Sequence, residues 1–219
     1  MFNFADYLIS QGVPAETLYL ILMLPFLGLI VGFLRYFVGI KTFGVYEPVV
    51  LAYALYAISP YFWIGLKFGL PLIILAFLAG EITKRVLKSV QLHFMTKISI
   101  KIGLVSILYI GILLLAARFN NNGYFTVNPL SFVIIITMLE AVSLFRIKVG
   151  NFKANIVGLG TFTMAILSYA VLSAQGVKTF ILLYPWVILA TVFVNFMIGR
   201  YQGLQVTEYV RFKSVIKDD

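Results

Sequence analysis

Cysteine is absent from the 219 residues, which excludes disulfides, thiolate metal ligands and cysteine nucleophiles. Histidine occurs once, at His93, and acids number only eight against 17 lysines and arginines, so a zinc site would need a carboxylate cluster that the chain does not offer. P-loop, dinucleotide and HExxH patterns are all missing, and the serines stand without a second histidine or an evident base to make a hydrolase. Charged residues make up 11% of the composition and hydrophobic ones 62%, with a mean hydropathy of +1.01. That is too little polar surface to coat a soluble domain of this size. The sequence reads as an integral membrane protein in which no cofactor and no metal is implied.

Seven apolar runs follow one another, over about 18–34, 44–58, 61–80, 102–117, 129–145, 156–173 and 180–199. Several approach the roughly 20 residues a bilayer span requires. The expected fold is an all-α bundle of seven transmembrane helices over 17–200, preceded by an extracytoplasmic segment 1–16 and followed by a basic tail 201–219. The first segment holds Asp6 and Glu16 but no Lys or Arg, unlike the basic start of a secretory signal peptide. Its aromatic residues Phe2, Phe4 and Tyr7 predict a short interfacial helix, closed by Gln11-Gly12-Val13-Pro14. Pro25 predicts a kink in span one, and Gly28 with Gly32 a close helix contact. Span two is short or broken. Gly39, Thr42, Gly44 and Pro48 interrupt the apolar pattern before it, and irregular backbone at membrane depth must be shielded by protein or face water. The stretch is therefore expected to lie against other helices. Pro129 suits a helix start.

The net charge of +9 does not point to nucleic acid, because the basic residues cluster at span ends. Fourteen of the 17 follow spans one, three, five and seven, while Lys67, Arg118 and Lys178 fall on the other side. The positive-inside rule then places the N-terminus outside and the C-terminus in the cytoplasm, as expected for a multi-pass protein of the bacterial cytoplasmic (inner) membrane.

Glu140 stands about 16 Å into span five at ~1.5 Å per residue, where an acid must face the bundle or be protonated. It admits two readings, a proton or cation relay (or substrate contact) and a structural hydrogen bond or ion pair inside the bundle. Glu47, at the boundary of span two, is expected to pair with Arg35 or Lys41. Lys67 is expected to snorkel outward, the alternative being an approach to Glu140. Asn195 suggests an interhelical hydrogen bond, and His93 a solvated or interfacial residue of the connection between spans three and four. Arg200, Glu208 and Arg211 lie in a tail rich in cations and aromatics. It reads as an anionic-lipid anchor or a cytoplasmic docking surface.

Gly39-Ile-Lys-Thr-Phe-Gly-Val-Tyr-Glu-Pro-Val-Val, Glu140 in span five, Tyr184-Pro185, Gly199-Arg-Tyr-Gln-Gly-Leu and Glu208-Tyr-Val-Arg-Phe-Lys together resemble the bacterial seven-transmembrane domain usually fused to an inactive transglutaminase-like domain. The resemblance covers roughly residues 11–213. It implies an extracytoplasmic transglutaminase-like domain ahead of the membrane region, which agrees with an outside N-terminus. The sequence begins about where that membrane region begins, so the domain is expected from another polypeptide or is dispensed with. The resemblance further implies a cytoplasmic ATP-grasp ligase as partner and a setting in envelope peptide or polymer metabolism.

Three readings of function follow. The first is a non-catalytic membrane subunit or scaffold that organises partner proteins. The second is a transporter or exporter of a small peptide or polymer, using Glu140 and the break at 39–48. The third, a membrane-embedded enzyme, has no catalytic constellation to support it.

Overall fold

The computed structural model describes residues 4–86, 94–119, 122–125 and 127–200. Lipid offers a backbone no hydrogen-bond partner, so spanning segments must close their bonds internally, and every regular element among the described residues is helical. In chain order these are α1 (Phe4–Ser10), α2 (Ala15–Phe33), α3 (Tyr46–Ile58), α4 (Phe62–Val86), α5 (Phe94–Arg118), α6 (Pro129–Val149), α7 (Asn151–Ser173), α8 (Gln175–Leu183) and α9 (Val187–Gly199). A π-helical turn, Leu34–Val38, extends α2, and a 3-10 turn, Asn122–Tyr124, precedes α6.

Four helical stretches are long and apolar enough to cross a membrane: Ala15–Val38, Phe62–Thr83, Thr96–Arg118 and Phe152–Ser173. The pair α8 and α9 makes a fifth if counted as one span. α3 is shorter, 13 residues or about 20 Å of rise, as the sequence suggests. The outer faces carry large apolar side chains, among them Ile107 at 68% and Leu114 at 67% exposure. Such faces suit acyl chains and would be a liability in water. The protein is an all-α, multi-pass membrane protein.

The last apolar run differs from one uninterrupted helix. α8 and α9 are bent by 102° at the break between them. The cause is local: Pro185 has no N–H to donate and its ring drives the preceding residue out of the helical region. Tyr184 accordingly sits at φ −124° and ψ 67°. Two connections also differ from the loops expected. α5 begins at Phe94, so Lys97 and Lys101 lie within the helix, and α6 and α7 are joined by Gly150 alone. Gly150 adopts φ +88°, a conformation that glycine reaches without strain, and its N–H closes on the Arg146 carbonyl at 3.0 Å.

The chain forms two compact units, residues 50–155 and the remainder. In the remainder, α1 is followed by a turn in which Gly12 takes φ +96°, and α2 runs through Pro25. The buried stripe of α2 is Leu18, Tyr19, Leu22, Met23, Leu27, Val31 and Gly32. Gly32 lies at the α2–α9 packing, where a Cβ would stand 3.7 Å from the Asn195 side-chain oxygen, whereas Gly28 has open space around it. Among the described residues Asn195 itself makes no hydrogen bond, so it fills that contact rather than bridging it. The Tyr19 hydroxyl donates to the Leu172 carbonyl of α7 at 2.7 Å, with the Lys178 ammonium of α8 5.7 Å from its ring. In unit 50–155, α4 packs on both α5 and α6. Gly69 of α4 receives the Leu55 side chain of α3. Asn128 caps α6 through its side-chain oxygen, which accepts from the Leu130 N–H at 2.9 Å, with Pro129 at the first helical position.

Candidate functional site

Two arrangements concentrate polar groups among the apolar helices. The first joins four helices of unit 50–155. Arg146, in the last turn of α6, donates through Nη1 to the Glu81 carboxylate of α4. Through Nη2 it donates to the Asn155 side-chain oxygen, in the first turns of α7, at 3.0 Å. Its guanidinium carbon lies 4.9 Å from the Phe77 ring centroid on α4, an arrangement that attracts a cation to the ring face. The Arg146 side chain is only 14% exposed, and its Nε is buried without a partner. Lys101 of α5 is 8% exposed. The Glu140 carboxylate and the Arg146 guanidinium both act on its ammonium electrostatically.

Arg146 is paired with Glu81, and Lys101 lies in the field of Glu140 and Arg146, so that the four charges sum to zero. A lone charge within an apolar span costs up to about 2.5–3.5 kcal/mol on insertion scales, the figure for the membrane centre. Mutual pairing removes much of that cost, provided the geometry is good. The network is a brace: each helix of the set contributes a group that another helix needs.

The second arrangement is the interruption between α2 and α3. The π turn ends at Gly39, whose φ of +86° reverses the helical path, and the Gly39 and Ile40 N–H groups both return to the Leu34 carbonyl at 3.1 and 3.4 Å. The following extended backbone is then held by α7. The Phe43 N–H donates to Thr161 Oγ1 at 3.1 Å, and that hydroxyl in turn donates to the Val157 carbonyl at 2.9 Å. A Cβ on Gly160 would collide with the Lys41 carbonyl, and one on Gly158 would meet the Phe43 ring at 3.8–3.9 Å. Buried Thr42 closes the turn by donating to the Gly44 carbonyl at 2.8 Å. The Glu47 side chain folds back over Gly44, and Pro48 is buried in the first turn of α3. The irregular backbone is shielded by protein, as membrane depth demands.

A family model described as seven transmembrane helices usually fused to an inactive transglutaminase matches residues 3–216. The chain belongs to that family. No curated protein and no solved structure matches this member of the seven-transmembrane transglutaminase-associated family.

Within this family member, the residues singled out from sequence divide between the two arrangements. Gly39, Lys41, Thr42, Gly44, Glu47 and Pro48 belong to the interruption. Glu47 has no ion-pair partner among the described residues, so its expected pairing with Arg35 or Lys41 is not made; the carboxylate turns toward Gly44 instead. Arg35 is half-buried within the π turn and Lys41 is exposed. Glu140 acts electrostatically on Lys101, and no ion pair joins it to Lys67 among the described residues. Lys67 is exposed, its ammonium 5.6 Å from the adjacent Phe68 ring. Arg200 is exposed at the end of α9, its guanidinium carbon 5.8 Å from the Phe196 ring, while Glu208, Arg211 and His93 lie outside the described residues. Among the described residues no three His, Cys, Asp or Glu side chains are grouped as a metal would require.

Sequence reading missed Glu81, Lys101, Arg146 and Asn155 as one network. Lys101 and Arg146 count among the fourteen basic residues that follow spans one, three, five and seven, which hides any inward role. A signal was present. Residues 50–155 hold only two acids, Glu81 and Glu140, and each acid in an apolar helix needs a named partner.

Proposed function

We propose that this protein is a non-catalytic, multi-pass membrane subunit that anchors or organises partner proteins in envelope peptide or polymer metabolism. The single observation that carries this reading is the family match over residues 3–216, because the family's membrane region usually accompanies a transglutaminase that is itself inactive. A membrane domain paired with an inactive enzyme fold suits a scaffold better than a catalyst. The self-neutralised network around Arg146 supports the same reading, since its charges are satisfied within the protein.

On this proposal the chain crosses the bacterial cytoplasmic membrane seven times, through α2, α3, α4, α5, α6, α7 and the bent α8–α9 pair. Segment 1–16 lies outside, 17–200 is the membrane domain and 201–219 is a cytoplasmic tail. Partners are a transglutaminase-like protein outside and an ATP-grasp ligase in the cytoplasm, the latter received through Arg200, Glu208 and Arg211. Affinity purification from the native membrane in gentle detergent tests the scaffold. Co-recovery of an envelope enzyme is expected, and repeated recovery of the lone chain would overturn it. The orientation is tested separately by single cysteines, made clean by the cysteine-free background. Lys148→Cys is expected to react with impermeant maleimide from the cytoplasm and Arg118→Cys from outside; labelling of both from one face defeats the topology.

One observation favours a second reading as a transporter. The chain is interrupted twice near membrane-crossing helices, at 39–45 and between α8 and α9, and transporters build sites from interrupted helices. Proteoliposome flux of a short acidic peptide that disappears in Glu140→Gln would establish it; no flux would remove it.

A further inference from the structure

We propose that the end of unit 50–155 beyond the Arg146 network is a binding surface for anionic phospholipid headgroups, formed by Arg85, Lys97, Lys148 and Lys153. The inference needs membrane embedding but neither the orientation nor the scaffold role proposed above.

The placement follows from helix geometry. Arg85 stands four residues outward from Glu81 on α4, and Lys97 four residues outward from Lys101 on α5. Lys148 stands two residues beyond Arg146, and Lys153 two residues before Asn155. At ~1.5 Å per residue, each cation sits about 3–6 Å farther out than its neighbour on the same helix, Glu81, Lys101, Arg146 or Asn155. Arg85, Lys148 and Lys153 are exposed and Lys97 is half-buried.

No acid of this unit neutralises the rim. Residues 50–155 contain only Glu81 and Glu140; Glu81 is paired with Arg146, and Glu140 stands eight residues deeper than Lys148 on α6. The four rim cations therefore have no acid of this unit at their own level.

Depth selects lipid over a soluble acidic partner. The apolar stretch Phe62–Thr83 ends two residues before Arg85, Thr96–Arg118 begins one residue before Lys97, and Phe152–Ser173 begins one residue before Lys153. The headgroup layer borders the hydrocarbon directly, so these cations stand at phosphate level. Val86 at 64% and Phe152 at 78% exposure offer apolar surface beside them for the glycerol and upper acyl carbons. Cations placed there attract anionic lipid, each by a few-fold, and the attraction is screened by salt.

The test is native mass spectrometry of the delipidated full chain in detergent, titrated with phosphatidylglycerol or with phosphatidylcholine. Phosphatidylglycerol is expected to be retained preferentially, and the preference is expected to fall as salt rises. The fourfold variant Arg85→Gln, Lys97→Gln, Lys148→Gln, Lys153→Gln is expected to lose on the order of a hundredfold in phosphatidylglycerol affinity, while Arg85→Lys with Lys97→Arg retains it. Equal retention of the two lipids by the unaltered protein overturns the proposal whether or not the fourfold variant folds. An unchanged preference in a folded fourfold variant overturns it too. Binding of an oligoglutamate peptide by the same four residues, without phosphatidylglycerol, would reassign the surface to an acidic protein segment.

Discussion

Arg146 and Asn155 face each other across a one-residue joint, with the guanidinium Nη2 of the first 3.0 Å from the side-chain oxygen of the second. The joint is Gly150, whose positive φ lets α6 end and α7 begin with no connecting loop. The same guanidinium reaches back to Glu81 on α4. One side chain thereby fixes where three helices end.

Removing that side chain is expected to be costly. Arg146→Gln leaves Glu81 without its cation and unbalances the charges summed with Lys101 and Glu140. About 2–4 kcal/mol of stability is expected to be lost, toward the lower end because Glu81 is partly exposed. Thermal unfolding in detergent measures it. The double variant Glu81→Gln/Arg146→Gln is expected to lose less than the sum of the single variants, because it strands no charge. Additive losses would show that the two groups do not act as a pair.

Gly160 and Gly158 are expected to respond oppositely to the same change. A Cβ at Gly160 meets the Lys41 carbonyl, which is backbone and cannot swing aside, so Gly160→Ala is expected to lower stability by about 1–3 kcal/mol. Gly158→Ala meets only ordinary contact with the Phe43 ring and gains helix propensity, so it is expected to be neutral or up to ~1 kcal/mol stabilising. Parallel melting curves of the two variants decide it.

Thr161 both accepts from the Phe43 N–H and donates to the Val157 carbonyl. Thr161→Val keeps the shape and removes the hydroxyl that the half-buried Phe43 N–H donates to, at an expected cost of about 1–2 kcal/mol. Thr161→Ser is expected to lose less. Amide exchange at Phe43 should quicken in the valine variant alone, which ties the loss to that bond.

The bend between α8 and α9 is expected to depend on Pro185. In Pro185→Ala the residue before it is free to become helical and the missing N–H is restored. Spin labels at Lys178 and Phe193 are expected to move apart as the two helices straighten, read by pulsed electron resonance. An unchanged separation would assign the bend to packing of α8 and α9 against α2 instead.

Much of the architecture was legible because membrane insertion writes itself in composition. The short α3, the helix start at Pro129, the short helix α1 and the packing of the interruption against α7 all follow from apolar length, proline, glycine and the demand for satisfied backbone. The charge network was not legible for a physical reason. A lysine at a span end looks the same in sequence whether it snorkels to water or turns inward to an acid, and only the position of the neighbouring helix decides. Lys67 is exposed and Lys101 is buried. The bend at Tyr184 was missed for the related reason that a proline in an apolar helix is compatible with a mild kink or a full turn.

α5 has two unlike sides. Lys101, Val105 and Ala116 are buried, while Ile107, Ile110 and Leu114 look outward. Aliphatic residues on the outward side touch little of the protein, so exchanges among isoleucine, leucine and valine there are expected to pass unnoticed. A saturation survey of this helix would therefore trace a thin seam of intolerance along an otherwise permissive rod, and drift between distant relatives should be read from that seam alone.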